Sequence, residues 1–404
     1  MKKLYLILFL YLISFINTEA QWFTQQSGTT NVLYDIEFIN DRTGWCSGDG
    51  GYIIKTTNGG ENWLRQGFGI TFEPLFGIHP VDSNVVYAAG FYRTLVKTTN
   101  GGKDWMKVES GMQGDGNYTC VFFIDENKGW MGNFDSPDYG IRRTTNGGQT
   151  VHASPYNSFP ADLFFKDEQN GIGVGGLSNI YHTSNGGINW SSYSIIQTGD
   201  FYKLSFINNN TGFTASHKAV YKTTNFGNSW DSVGYIPAFV YSISFSDDKV
   251  GYAGTAYAIL KTTTGGRDWS FQIATGVVYN IHSKGKDLIW TCGNAGRIWH
   301  TTNGGMSFIN NISTTIPDEF ELFQNYPNPF NNKTIIKLEI IKMGNYEMEI
   351  FNIAGKKIET IFNGDLNTGQ YQIIYDAKEL SSGNYFYRFS GNNISETKKL
   401  ILIK

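Results

Sequence analysis

Short stretches of alternating polar and apolar residues recur along the chain. Each is followed by a glycine-bounded run and then by a third short apolar run. Asp35-Ile36-Glu37-Phe38, Gly44-Trp45-Cys46-Ser47-Gly48 and Tyr52-Ile53-Ile54-Lys55 form the first set. Lys203-Leu204-Ser205-Phe206 with Gly212-Phe213-Thr214-Ala215 opens a later one, and Ser242-Ile243-Ser244-Phe245 with Gly251-Tyr252-Ala253-Gly254 another. A period of two with glycine punctuation predicts short β-strands. None of the nine prolines interrupts these runs.

Each set ends in the same polar turn. Lys55-Thr56-Thr57-Asn58-Gly59-Gly60-Glu61-Asn62-Trp63 is the first copy, and six more follow, opening at Lys97, Arg143, His182, Lys222, Lys261 and His300. The second glycines are Gly60, Gly102, Gly148, Gly187, Gly227, Gly266 and Gly305, at steps of 42, 46, 39, 40, 39 and 39 residues. A period near 40 residues is that of a four-stranded propeller blade. The threonines suit a strand end. Asn58 is expected to bond backbone amides two residues on, and two glycines allow positive φ. Trp63, Trp105, Trp190, Trp230 and Trp269 each open a fourth strand with a large apolar plate.

The turn resembles the Asp-box, Ser/Thr-x-Asp-x-Gly-x-Thr-Trp, of sialidases, sortilin-type propellers and photosystem II assembly/stability factors, and looks most like the last group. The family aspartate is Asn58, Asn100, Asn146, Asn185, Asn225 and Asn303 here, and Thr264 in the sixth copy. The resemblance implies a structural role on the blade periphery, and uncharged asparagines imply no metal there. The expected fold is all-β: a seven-bladed β-propeller over 21–315, then a small Ig-like β-sandwich over 316–404.

Ring closure has two candidates. Gln21-Trp22-Phe23-Thr24-Gln25 resembles a fourth strand without a box before it, and Ser307-Phe308-Ile309-Asn310 follows the last box. The loops opposite the boxes are rich in aromatics: Phe68, Phe72, Phe91, Tyr92, Tyr118, Tyr156, Phe159, Phe201, Tyr235, Phe239 and Tyr257, with Arg93 among them. Tyr34, Tyr202, Tyr241 and Tyr279 recur at the start of inner strands, with Pro74, Thr119 and Ala161 in the other three blades. These tyrosines either ring a channel mouth, where they stack on a sugar or hold a peptide, or pack between blades. Tyr92 and Arg93 join them as candidate ligand contacts.

Residues 1–20 have the form of a secretory signal peptide: Met1-Lys2-Lys3, an apolar run from Leu4 to Ile16, and Ala20 at the cleavage position. No later stretch is long and apolar enough to span a bilayer. The formal charge is −3. The leader carries two lysines and one glutamate, so the mature chain sits at −4, with no nucleic-acid footprint. Cys46, Cys120 and Cys292 are too few for a disulfide framework or zinc site. Cys46 and Cys292 would sit on adjacent blades of a closed ring, as a bridge or as buried thiols.

Catalytic signals are sparse. Arg297-Ile298 is followed by Trp299, not by the proline of the sialidase signature. The candidate loop carboxylates Asp49, Glu73, Asp115, Asp135, Asp138 and Asp200 form no recognisable acid/base pair. No nucleophile triad, phosphate loop or histidine-rich metal cluster is present in the sequence. No cofactor is expected. The leading expectation is a non-catalytic binding propeller for a glycan or protein ligand; the alternative is an Asp-box glycoside hydrolase.

After a polar linker at 310–315 the period changes. Gln324-Asn325-Tyr326-Pro327-Asn328-Pro329-Phe330-Asn331 precedes alternating segments at 334–341, 346–352, 357–362, 371–376, 384–390 and 397–403, the signature of a small sandwich. That run, together with Phe351-Asn352-Ile353-Ala354-Gly355 and Leu380-Ser381-Ser382-Gly383-Asn384-Tyr385, resembles the type A sorting domain of the type IX secretion system. The resemblance implies secretion-machinery partners and delivery through the periplasm to the outer-membrane surface or the medium.

Overall fold

The computed structural model describes residues 22–110, 116–134, 139–154, 159–195, 199–236, 238–305, 309–313, 315–377 and 380–404. The leader, Asp115, Asp135, Asp138 and Tyr156 lie outside these. Contacts divide the chain into two compact units, one of them Trp22–Gly305.

The first unit holds seven four-stranded antiparallel sheets. Their inner strands are Leu33–Phe38, Leu75–Pro80, Asn117–Phe123, Pro160–Phe165, Phe201–Phe206, Val240–Phe245 and Val278–Lys284. Each inner strand contacts the next, and the last contacts the first, so the sheets form a closed ring of blades. The N-terminal strand Phe23–Gln25 completes the seventh blade by pairing with Ile298–Thr301. Ile309–Ser313 instead pairs with Gly369–Asp376 in the second unit, so the polar stretch read as a linker is partly a strand. Its polarity hid this, because an edge strand is fixed by main-chain bonds to its neighbour rather than by apolar side chains.

One packing unit repeats at the blade junctions. Phe38 of the first blade stacks on Trp290 of the seventh at 3.8 Å. Tyr87–Phe123, Trp130–Phe165 and Phe213–Phe245 stack in the same way at 3.5, 3.5 and 3.6 Å. Box tryptophans Trp63, Trp190 and Trp269 meet the phenylalanines of their own blades edge-on at 5.8, 5.8 and 6.1 Å. Face and edge contacts of this kind add to the apolar burial. Trp63 and Trp105 also donate Nε1–H to Gln25 and Gln66 on the outer strands of the preceding blades.

The box turns are built around a threonine. In the first, Thr56 Oγ1 accepts from the amides of Asn58 and Gly60 and donates to Asn58 Oδ1. Asn58 Oδ1 accepts from the amide of Asn62, four residues on rather than the expected two. Gly59 and Gly60, at φ 74° and 94°, turn the chain so far that the later amide arrives at the side chain. The threonine pattern recurs at Asn100/Gly102, Asn146/Gly148, Asn185/Gly187, Asn225/Gly227 and Asn303/Gly305. Thr264 supplies its hydroxyl in place of asparagine beside Gly266, accepting from Asp268.

The second unit is a sandwich of two four-stranded sheets. Lys333–Ile340 alternates exposed and buried along its length. Ile336, Leu338, Met348, Ile350, Tyr387 and Phe389 share one core between the sheets.

Candidate functional site

Every inner strand carries a register break near its start. The extra residue is Tyr34, Phe76, Thr119, Ala161, Tyr241 or Tyr279, and in the fifth blade Tyr202 and Lys203 both fall in the break. A bulge re-aims a side chain that regular pairing would send to the blade face. Here all seven positions line one cavity of about 720 Å³ at the ring centre. Register makes Phe76, not Pro74, the second-blade equivalent of the tyrosines, because Phe76 is itself the bulged residue, two before Ile78, and being apolar it passes for the first core residue of the strand.

The four sequence-nominated tyrosines therefore meet in one depression, each half-buried. Successive rings touch edge-on or tilted: Phe76–Tyr34 at 5.1 Å, Tyr34–Tyr279 at 5.4 Å, Tyr279–Tyr241 at 5.6 Å and Tyr241–Tyr202 at 6.3 Å. Tyr34 donates its hydroxyl to Asp49 Oδ1 at 2.9 Å. Burial and this carboxylate push the Tyr34 phenol well above its ordinary range. Phe134 and Phe159 close the opposite wall.

Tyr92 and Arg93 do not line this cavity. They sit in a turn with positive φ after the second strand of blade two. Tyr92 is exposed and contacts Phe91, whereas Arg93 is buried with Nε donating to Asn133 of the next blade. Tyr118 and Phe201, placed on loops by the sequence, are fully buried residues of inner strands.

Beneath the aromatic layer lies a charged layer that the sequence reading missed. Lys203 Nζ lies 3.9 Å from Asp35 and 3.7 Å from Asp162. Asp35 accepts the Ile78 amide and the Asn280 side-chain amide, and Asp162 accepts the Leu204 amide. Glu37 pairs with His79 Nδ1 at 3.3 Å, and His79 Nε2 meets the Phe123 carbonyl. Burial outweighs the Lys203 ammonium and pushes Asp35 up to about 6, and burial raises Asp162 also. Burial opposes the lysine charge, but Asp162, Asp35 and Glu37 outweigh it and hold Lys203 well above its usual range. Three carboxylates around one cation hold the lysine charged, while burial, which that single cation does not offset, pushes two of the acids up. Burial opposes both charges of the Glu37–His79 pair; their attraction prevails, lowering the acid and raising the histidine. The available signal was the charged residues at core-facing positions of otherwise apolar inner strands.

Among the described residues no group of three or more His, Cys, Asp or Glu is placed to hold a metal ion. Cys46, Cys120 and Cys292 are free and buried. No helix among the described residues is long and apolar enough to cross a membrane.

Residues 15–154 match the family described as photosynthesis system II assembly factor YCF48, and residues 324–404 match the secretion system C-terminal sorting domain. No curated protein matches the chain. The structure of YCF48 bound to D1 peptide is similar at 16% identity and a TM-score of 0.57, covering 70% of this chain and 97% of that one. YCF48 from Cyanidioschyzon merolae gives 17% identity and 0.55, covering 70% and 98%. PorZ, an essential surface component of the type-IX secretion system of Porphyromonas gingivalis, gives 12% and 0.52, covering 93% and 60%. At these identities the likeness is one of fold. The sorting domain marks the protein for export to the cell surface or beyond. The chain thus joins a propeller similar to the photosystem II assembly factors to a C-terminal type IX sorting domain.

Proposed function

We propose that the protein is a secreted or surface-displayed binding propeller without catalysis, which holds a glycan or protein ligand in the aromatic-mouthed well. The observation that carries this is the placement of five aromatic side chains, on five consecutive inner strands, around one cavity. Half-exposed rings over a concave site favour stacking on sugars or clasping an extended chain. A propeller of this fold is described bound to a peptide, which agrees with a peptide as the kind of ligand. The test is a glycan array and a peptide array probed with the full chain and with a Tyr241→Ala/Tyr279→Ala variant. Ligands that bind the native chain are expected to be lost in the variant. Undiminished binding by a folded variant refutes the well as the site.

One observation favours the hydrolase alternative: Asp35 and Asp162 face one another across the well. Oxygens at 3.9 and 3.7 Å from a single nitrogen can be no farther apart than those two distances together, a bound that admits a retaining pair at roughly 5–5.5 Å or the near end of the roughly 6.5–9.5 Å range of an inverting pair. Each carboxylate, however, is held by a backbone amide, and Lys203 occupies the gap that a water or glycosidic oxygen needs. Hydrolysis of a sialoside or polysaccharide panel that disappears in Asp162→Asn would replace the binding reading.

A further inference from the structure

The charge of the well goes beyond the aromatic mouth and narrows the ligand. Asp35, Glu37, Asp162 and Asp200 line it against one lysine and one histidine, so it is negative whether or not His79 is protonated. Carboxylates taken out of water are costly unless paired, and Lys203 cannot neutralise two of them at once. Burial raises Asp35 and Asp162 against the pull of Lys203, whose single charge does not offset it. Above them the walls are aromatic faces, which attract cations. Asp49 and Asp200 add negative charge at the rim, Asp49 accepting from Tyr34 and Asp200 accepting from the Leu177 amide.

The geometry points to a basic side chain, lysine or arginine on an extended peptide, as the group that enters this well. This rests on the binding reading above. Three residues of strand separate the tyrosine layer from Glu37, about 10 Å. An apolar stem with a cationic tip reaches part of the way down, its methylenes against the rings and its charge above the gap that Lys203 fills, where the surplus carboxylates offset it. A neutral sugar ring supplies no charge to offset the acids. The groups facing Asp35 include Lys203, Glu37, Asp162, Asn280 and the Cys46 thiol, with His79 and His282 beside Glu37. Protonating Asp35 removes one of the charges that attract the guest, so affinity falls as pH drops through about 6.

The test is calorimetric titration of the full chain at pH 8 with five capped pentapeptides, one all glycine and four with a central Lys, Arg, Gln or Glu. The Lys and Arg peptides are expected to bind at least about tenfold more tightly than the Gln peptide, and the Glu peptide not at all. Asp35→Asn, Asp200→Asn and a shift to pH 5 are each expected to weaken the Lys peptide severalfold. Asp200 lies on the rim, so its variant stands if Asp35→Asn disturbs folding. Equal binding of Gln and Lys peptides, lost in Tyr241→Ala/Tyr279→Ala, overturns the charge inference and leaves the well as the site. Binding of the Lys peptide that survives the tyrosine variant overturns both. Lys and Arg peptides that bind no better than an all-glycine peptide overturn the inference.

Discussion

Thr223→Val tests what holds a box turn together. Thr223 is buried, and its Oγ1 accepts from the Gly227 amide at 2.8 Å and the Asn225 amide at 3.2 Å while donating to Asn225 Oδ1 at 2.9 Å. Valine has nearly the same shape and keeps the strand preference, so the substitution removes the hydroxyl and little else. The Gly227 amide is itself buried, and leaving it unpaired costs about 1–3 kcal/mol. Loss of the other two bonds brings the expected destabilisation to about 2–4 kcal/mol. Asn225→Ala removes an Oδ1 that serves Thr223 and the Ser229 amide, plus a bond to the Ser229 hydroxyl, in a more exposed part of the turn. It should cost only about 1 kcal/mol. The assay is urea unfolding followed by tryptophan fluorescence. All ten tryptophans fall between residues 22 and 299, so the signal reports the propeller unit alone. A Thr223→Val cost below that of Asn225→Ala, at unchanged slope, would refute the threonine-centred account.

Burial pushes His300 down to about 4, against the bond from Nδ1 to the Ile289 carbonyl. The unfolded chain then binds its proton first, so stability is lost as pH falls from about 6.5 towards 4, and melting curves of His300→Gln should show a smaller loss than wild type across that window. Burial holds the Cys46 thiol well above its ordinary range, and Cys120 is pushed up to about 12. With Cys292 also buried, a thiol reagent should label none of the three in the native chain and three after unfolding; rapid native labelling contradicts this. Trp230→Ala should cost roughly 3 kcal/mol or more from lost packing, measured by the same fluorescence titration, while ligand binding survives at low temperature. Ending the chain at Gly305 removes the whole second unit, including the strand Ile309–Ser313, and cell fractionation should then find the propeller retained in the periplasm; undiminished surface or medium levels contradict the sorting role.

The sequence determined what is local. Seven copies of a turn whose threonine bonds are internal, spaced by one blade length, set the hairpins and the β-class, because threonine, asparagine and paired glycines shape that turn within eight residues. Alternation along Lys333–Ile340 was visible for the same reason: which face is buried follows from the strand period. The tertiary structure decided what depends on partners distant in the chain. Phe23–Gln25 closes the ring with Ile298–Thr301, and Ile309–Ser313 leaves for the sandwich, because strand partners are chosen by non-local pairing that neither segment encodes alone. The tyrosine candidates were readable, yet their common direction came from a bulge in each inner strand, a register property of two strands together. The charged layer was the least legible part. Asp35, Asp162 and Lys203 are ordinary residues in three separate repeats, and only closure of the ring brings them within 4 Å of one ammonium, where water is scarce and their charges must be settled among themselves.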